Sequence, residues 1–169
     1  MKIVFDMDGV LRELNLALIH VCESLGDFAP FKVDSLTNTK PLLNPMLLAL
    51  PEDELFCLTR CYIQEDIDLK QGWLNHFYGD RVKLLTVGKC TSNWGQEYCE
   101  LVGKAKYDIL KDIKADVYID DDPGLIRVIR RLALADGLSL KCLKYGPWIQ
   151  EYIPAVNKDE TYRRFDKVK

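Results

Sequence analysis

The residues with the clearest chemical potential in this sequence are aspartates that interrupt apolar runs. The first run, Lys2-Ile3-Val4-Phe5, breaks into Asp6-Met7-Asp8-Gly9-Val10. A later one, Tyr118-Ile119, breaks into Asp120-Asp121-Asp122-Pro123. An aspartate can act as a nucleophile, as a general acid or base, or as a ligand for a hard cation. Several such groups in one crevice cannot all stay ionised without a partner. Mg²⁺, which prefers oxygen ligands and takes one or two carboxylates beside water and a substrate oxygen, resolves that conflict. Taken alone, the Asp120–Asp122 triplet could as well cap a helix and solvate a loop. Two acidic clusters, each closing an apolar run, point to a site.

Those clusters need a frame to bring them together. Five apolar runs read as strands, at Lys2–Asp6, Leu55–Thr59, Val82–Val87, Asp116–Asp120 and Leu138–Leu143. Several are apolar on both faces, as in a parallel sheet covered on both sides. Helical patterns alternate with them. Leu11, Leu14, Leu18, Val21 and Leu25 recur at helical spacing before Gly26, and Pro45–Leu50 reads as a short helix. Tyr62–Tyr78, stopped by Gly79-Asp80, and Tyr107–Ile113 read as longer ones. Asp122 is an acceptable cap for a helix that opens on Pro123, runs to Ala135 and ends before Gly137. The alternation predicts a three-layer α/β sandwich with right-handed crossovers. In such sheets ligands bind beyond the carboxyl ends of the strands, where strand order reverses. If the first and fourth strands are neighbours there, Asp6, Asp8, Asp120 and Asp121 converge.

At this point a resemblance becomes specific. Asp6-Met7-Asp8-Gly9-Val10-Leu11 resembles the first motif of the haloacid dehalogenase (HAD) superfamily, D-x-D-G-[VT]-[LF], directly after a hydrophobic strand. Phe56-Cys57-Leu58-Thr59-Arg60 resembles the second, a strand ending in Thr or Ser, and Tyr118-Ile119-Asp120-Asp121 the fourth. Lys106, in Lys106-Tyr107-Asp108-Ile109-Leu110, resembles the lysine of the third, with Lys104 the weaker alternative. The motifs occur in the family's order and span residues 1 to about 143.

The resemblance implies a Rossmann-like sandwich with a five-stranded, mainly parallel sheet and Mg²⁺-dependent phosphomonoester hydrolysis. Asp6 would attack phosphorus and form an aspartyl-phosphate; Asp8 would protonate the leaving oxygen and then activate water. Thr59, Arg60 and Lys106 would hold the phosphoryl group. The metal would fall to Asp6, the backbone carbonyl of Asp8, Asp120 and Asp121, with the direct ligand of the last two left open. An aspartate at the position of Asp8 marks phosphotransfer members rather than dehalogenases. The run from Trp73-Leu74 through Lys106 to Asp120-Asp121 resembles the small 5′(3′)-deoxyribonucleotidase-like branch, which makes a 5′-nucleotidase the first expectation. Two alternatives stand beside it, a polynucleotide 3′-phosphatase and a non-catalytic phosphate-binding module with the same fold. Family members select substrates with a cap inserted after the first or second motif. Here residues 11–40 leave room for only a small cap-like insertion in a single domain over 1–169, and Lys89–Gly103 could cover the site from the other side.

Other readings are weaker. The formal net charge of −3 implies no broad basic surface, which disfavours long nucleic acid as a partner, although Arg127, Arg130, Arg131, Arg163 and Arg164 leave a local basic patch open. A small phosphorylated molecule, nucleotides included, is the expected partner. The apolar stretches Leu14–Cys22 and Pro45–Leu50 are too short for a membrane span, and Asp6 and Asp8 break any signal-peptide core, so the cytoplasm is the expected location. The six cysteines, Cys57 and Cys61 included, read as reduced thiols, since no second pair or nearby histidine completes a zinc set. His20 and His76 lie in helical patterns and read as structural. Gly88-Lys89-Cys90-Thr91 fails as a P-loop because Lys83 stands where the first glycine belongs. Trp73, Trp94 and Trp148 read as core or pocket-rim residues.

Overall fold

The run Lys2-Ile3-Val4-Phe5 forms strand β1 (Lys2–Phe5), buried everywhere but at Lys2. A strand hidden on both faces belongs in the middle of a parallel sheet. That is where β1 lies in the computed structural model, which describes residues 1–13, 39–61, 63–88, 96–146 and 151–152. On one side of it follow β2 (Glu54–Arg60) and β3 (Val82–Val87), and on the other β4 (Val117–Asp120) and β5 (Lys141–Lys144), all parallel. The two-residue β6 (Glu151–Tyr152) closes the edge antiparallel to β5. The resulting order, β3-β2-β1-β4-β5-β6, reverses between β1 and β4. The expected five parallel strands are therefore present, with one further strand after Tyr145.

Alternation along the strands divides the interior in two. Ile3, Phe5, Leu55, Cys57 and Ile119 face one side, where they pack with Trp73 and Leu74 of helix α1 (Gln64–Tyr78). Val4, Phe56, Leu58, Tyr118 and Cys142 face the other. There they meet Tyr107 and Leu110 of α2 (Gln96–Asp112) and Ile126 and Ile129 of α3 (Pro123–Ala135). This is the three-layer α/β arrangement, with apolar residues of successive strand positions committed to opposite layers.

Element bounds shift where local chemistry outweighs the apolar pattern. β5 starts at Lys141 rather than Leu138, because the preceding residues close α3. Gly137, at φ +66°, donates to Leu134 O (3.2 Å) and Leu138 to Ala133 O (2.9 Å), the paired bonds of a Schellman ending. α2 begins well before Tyr107, since Tyr98 and Val102 extend its buried face to form a small core with Leu125. Gly103 had masked that continuity in the sequence. It is a close-approach residue: a Cβ there would lie 2.8 Å from Val128 Cγ1 of α3. The Pro45–Leu50 helix reduces to one 3-10 turn, Pro45–Leu47, capped by the Asn44 side chain on Met46 N.

A helix starting at Leu11 is not what forms. Gly9 N–H donates to Arg12 O and Arg12 N–H to Met7 O, both at 2.8 Å, folding Met7–Arg12 into a closed turn. Past it, Glu13 N–H donates to Lys40 O (3.1 Å) and Leu42 N–H to Leu11 O (2.9 Å), so the backbone at Leu11–Glu13 runs antiparallel to that at Lys40–Leu42. Residues 14–38, with His20, most of the expected helical pattern and most of the expected 11–40 insertion, lie outside the described residues, as do Trp94 and Trp148. Among the described residues no helix is long and apolar enough to cross a membrane.

Candidate active site

Asp6 is the first residue beyond β1, and its N–H donates to Ile119 O of β4 at 2.7 Å, fixing it at the point where strand order reverses. From there the chain turns through Gly9 at φ +85°, a left-handed conformation that glycine adopts without strain. A Cβ on Gly9 would lie 2.2 Å from Asp121 Oδ2. The missing side chain is thus what lets the loop after β1 sit against the loop after β4.

Lys106 ties the two loops together. It is 3% exposed and donates to Asp6 Oδ1 (2.6 Å), Tyr118 Oη (2.8 Å) and Asp120 Oδ2 (2.9 Å). Tyr118 in turn donates to Asp120 Oδ2, and Asp122 N–H to Asp120 Oδ1 at 2.8 Å. Lys104, the alternative, projects outward and pairs with Asp108 at 3.0 Å. Asp122 caps α3 by accepting from Gly124 N (2.6 Å) and Leu125 N (3.3 Å), as its position before Pro123 suggests.

Oxygens of Asp6, Asp120 and Asp121 lie within 4.8 Å of one another, a group able to hold a metal ion. The electrostatics agree. Burial pushes the Asp6 carboxyl up to about 7, Lys106 only partly offsetting it and Asp120 adding to it. Burial, then the charges of Asp120 and Asp6, push Asp121 up to about 8. Lys106 goes the other way from most buried lysines: desolvation opposes its charge, but Asp120 and Asp6 outweigh it and hold it protonated. Hard oxygen donors kept short of positive charge are the donor set Mg²⁺ takes.

Asp8 stands apart from this cluster. Arg12, itself only 2% exposed, donates to Asp8 Oδ1 through Nε (2.8 Å) and through Nη2. Lys70 approaches Oδ2 at 3.5 Å. Burial would raise the Asp8 carboxyl, yet Lys70 and Arg12 together bring it down to about 2. Asp8 is consequently held in its base form.

Thr59, at the end of β2, is 3% exposed and accepts from Lys70 Nζ at 2.7 Å. Arg60 beside it turns its guanidinium over the Tyr98 ring, 4.8 Å from the centroid, so α2 does reach this end of the sheet. Lys70 also donates to Arg60 O at 2.9 Å. The site residues expected from the sequence thus fall into two groups, Asp6, Asp120, Asp121 and Lys106 in one and Asp8 and Thr59 in the other, with Arg60 reaching the second through its backbone carbonyl while its guanidinium lies on Tyr98. Lys70 and Arg12 join the second, and Tyr118 the first.

These last three carried faint signals. Lys70 lies between Ile67 and Trp73-Leu74 on the apolar stripe of α1, where a cation is out of place. Arg12 follows Asp8 by four positions, and Tyr118 precedes Asp120 by two on one strand face. His76 is exposed, Trp73 is buried with its Nε1 donating to Thr39 O (3.2 Å), and Cys57, Cys61, Cys99 and Cys142 are free thiols.

No family model matches the sequence, and no curated protein matches it. Solved structures similar to it include two of the HAD domain of effector protein Lem4 from Legionella pneumophila. An inactive mutant of that domain superposes with a TM-score of 0.50 at 12% identity, covering 99% of this chain and 91% of the other. A second structure of the domain gives 0.49 at 13% identity, covering 99% and 92%. Identity that low speaks to architecture, not to chemistry. The chain has a HAD-like α/β fold.

Proposed function

We propose that this protein is a phosphomonoester hydrolase that forms an aspartyl-phosphate on Asp6. The observation that carries the proposal is the position of Asp6: at the strand-order reversal, held by Lys106, and grouped with Asp120 and Asp121. Asp6, Asp120 and Asp121 would hold Mg²⁺, which when bound supplies positive charge that favours an ionised Asp6 and an oriented phosphoryl group.

Lys106 fixes one oxygen of Asp6, so that the other carries the attack on phosphorus while the P–O bond to the leaving alcohol breaks. Water then attacks phosphorus, releasing inorganic phosphate and regenerating the Asp6 carboxylate. Asp8, kept ionised by Arg12 and Lys70, is set to take the proton of that water. Protonating the leaving oxygen in the first half requires Asp8 to acquire a proton against the two cations.

Nucleoside 5′-monophosphates are the substrates that the sequence resemblance favours, and they are ranked by assay. The experiment is Mg²⁺-dependent phosphate release from an aryl phosphate, run beside Asp6→Asn and a panel of nucleoside monophosphates. Metal-dependent turnover that vanishes in Asp6→Asn supports the mechanism. Turnover confined to DNA ends, with steep salt dependence, would move the substrate to a polynucleotide 3′-phosphate. Metal binding with no turnover of any ester would leave a non-catalytic module.

A further inference from the structure

We infer that Lys70, together with Thr59, forms the anion subsite that receives the phosphoryl oxygens, while Lys106 serves to orient the carboxylates. The inference rests on the phosphoryl-transfer reading above and assigns the charge that neutralises the substrate to a residue outside the four motifs.

An ammonium group has three protons to donate. All three of Lys106 are engaged, on Asp6 Oδ1, Tyr118 Oη and Asp120 Oδ2, at 2.6–2.9 Å. Its side chain is 3% exposed. To contact a phosphoryl oxygen it would have to abandon a short bond to a buried carboxylate or to the tyrosine. Lys70 is placed differently. Its bonds to Thr59 Oγ1 (2.7 Å) and Arg60 O (2.9 Å) are short, but its approach to Asp8 Oδ2 is long, at 3.5 Å. The side chain keeps 14% of its surface exposed. Arg12 holds the other carboxylate oxygen of Asp8, so that carboxylate keeps a hydrogen-bonded cation when Lys70 turns away. One proton of Lys70 can therefore turn to an incoming anion at small cost.

The Lys70–Thr59 bond has a second effect. Because the Thr59 oxygen accepts from Lys70, the hydroxyl hydrogen is directed away from the ammonium. A hydroxyl donor and an ammonium donor then stand side by side at the carboxyl end of β2. Two adjacent donors, one of them charged, match two oxygens of one phosphoryl group.

The test uses inorganic phosphate, which binds without turning over. Its affinity for the full chain in saturating Mg²⁺ is measured by calorimetry for wild type, Lys70→Met, Lys70→Arg and the outward-facing control Lys104→Met. Mg²⁺ affinity is measured in parallel. Loss of a charge-assisted hydrogen bond is expected to weaken phosphate binding about tenfold or more in Lys70→Met. Lys70→Arg should recover part of the loss, and Mg²⁺ affinity should stay within about twofold, since Lys70 touches none of Asp6, Asp120 and Asp121. Lys70→Gln, which keeps a donor for Thr59, gives the same reading if methionine compromises folding. Unchanged phosphate affinity overturns the inference, and so does a parallel fall in Mg²⁺ affinity, which would mark Lys70 as structural. A wild type that binds no phosphate overturns it together with the phosphatase reading. Lys70-dependent phosphate binding without hydrolysis of any ester would sustain the subsite and sink the phosphatase.

Discussion

Replacing Gly9 with alanine should separate what the loop after β1 does for the fold from what it does for the site. Two consequences follow from the geometry. The backbone there has φ +85°, and a side chain in left-handed backbone costs about 1–2 kcal/mol. The new methyl would also lie 2.2 Å from Asp121 Oδ2 and 2.5 Å from Asp121 Cγ, so the carboxylate must swing away. In metal-free buffer that displacement is nearly free, because it takes Asp121 out of the burial, and away from the charges of Asp120 and Asp6, that together hold its carboxyl up at about 8. The expected loss without Mg²⁺ is therefore the backbone strain alone, about 1–2 kcal/mol.

With Mg²⁺ present the comparison changes. A ligand at a hundred times its Kd stabilises the folded chain by about 2.7 kcal/mol, and if Asp121 is a Mg²⁺ ligand as proposed, a variant that displaces it forgoes most of that. Urea denaturation of wild type and Gly9→Ala, each with and without Mg²⁺, should therefore show a gap that widens to about 4 kcal/mol in the metal. Asp121→Ala completes the set: it should lose the metal's stabilisation without the strain, and in metal-free buffer at neutral pH it should be as stable as wild type or more so. A Gly9→Ala penalty equal in both buffers, in a wild type that Mg²⁺ stabilises, would refute the link between Gly9 and Asp121. A metal-free penalty below about 0.5 kcal/mol would refute the strained turn itself.

Three further outcomes follow from the same geometry. Carboxyls raised to about 7 (Asp6) and about 8 (Asp121) hold protons that the unfolded chain has released near 3.8, so metal-free stability should fall as pH rises from about 4 to about 8. Added Mg²⁺ should offset that loss, and a flat or rising profile in urea melts would contradict the assignment. The depressed Asp8 contributes in the opposite sense, its share being lost as pH falls from 3.8 through about 2. Lys106→Met should destabilise by about 3–5 kcal/mol, because it strands Asp6 and Asp120 in the interior; a change below about 1 kcal/mol on chemical denaturation would mean they are solvated. Gly103→Ala should cost about 1–3 kcal/mol by forcing α2 off α3, with Val128→Ala restoring much of it, and additive effects of the two would show that they do not touch.

The parts legible in the sequence were those where one residue type answers one physical demand. Ile3, Val4 and Phe5 are apolar on successive positions, so β1 had to be covered on both faces. Asp6 and Asp120 end apolar runs abruptly, and that break survives any uncertainty in element bounds. Asp122 before Pro123 announces a helix start, and Pro123–Ala135 is found as expected. The partners of these residues were harder to read. Lys104 and Lys106 stand two positions apart on one helix, and only the packing of α2 against the sheet turns Lys106 inward and leaves Lys104 outside. Lys70 occupies the apolar stripe of an amphipathic helix, where a lysine can also extend its stem and reach solvent. Arg12 could be placed only once the turn through Gly9 was known, since a helix from Leu11 would have carried it elsewhere.

The charges of the described site explain why it needs two separate cationic walls. With Arg60 set aside on the Tyr98 ring, Asp6, Asp8, Asp120 and Asp121 face Lys106, Arg12 and Lys70, and those seven groups leave a single excess negative charge when all are ionised. Lys106 is enclosed with Asp6 and Asp120, Arg12 and Lys70 are gathered on Asp8, and among the described residues no ion pair reaches Asp121. The uncompensated charge is therefore localised, at the place where Asp121 meets Gly9. A divalent cation there converts an excess of one negative charge into an excess of one positive, and a phosphoryl dianion converts it back. A monovalent cation would only neutralise the site and leave the dianion without attraction. On the proposed phosphatase reading the metal and the substrate anion would then depend on each other, and phosphate should bind more tightly with Mg²⁺ than with Na⁺ at equal ionic strength. Phosphate affinity that is the same in both salts would break that dependence and the charge assignment with it.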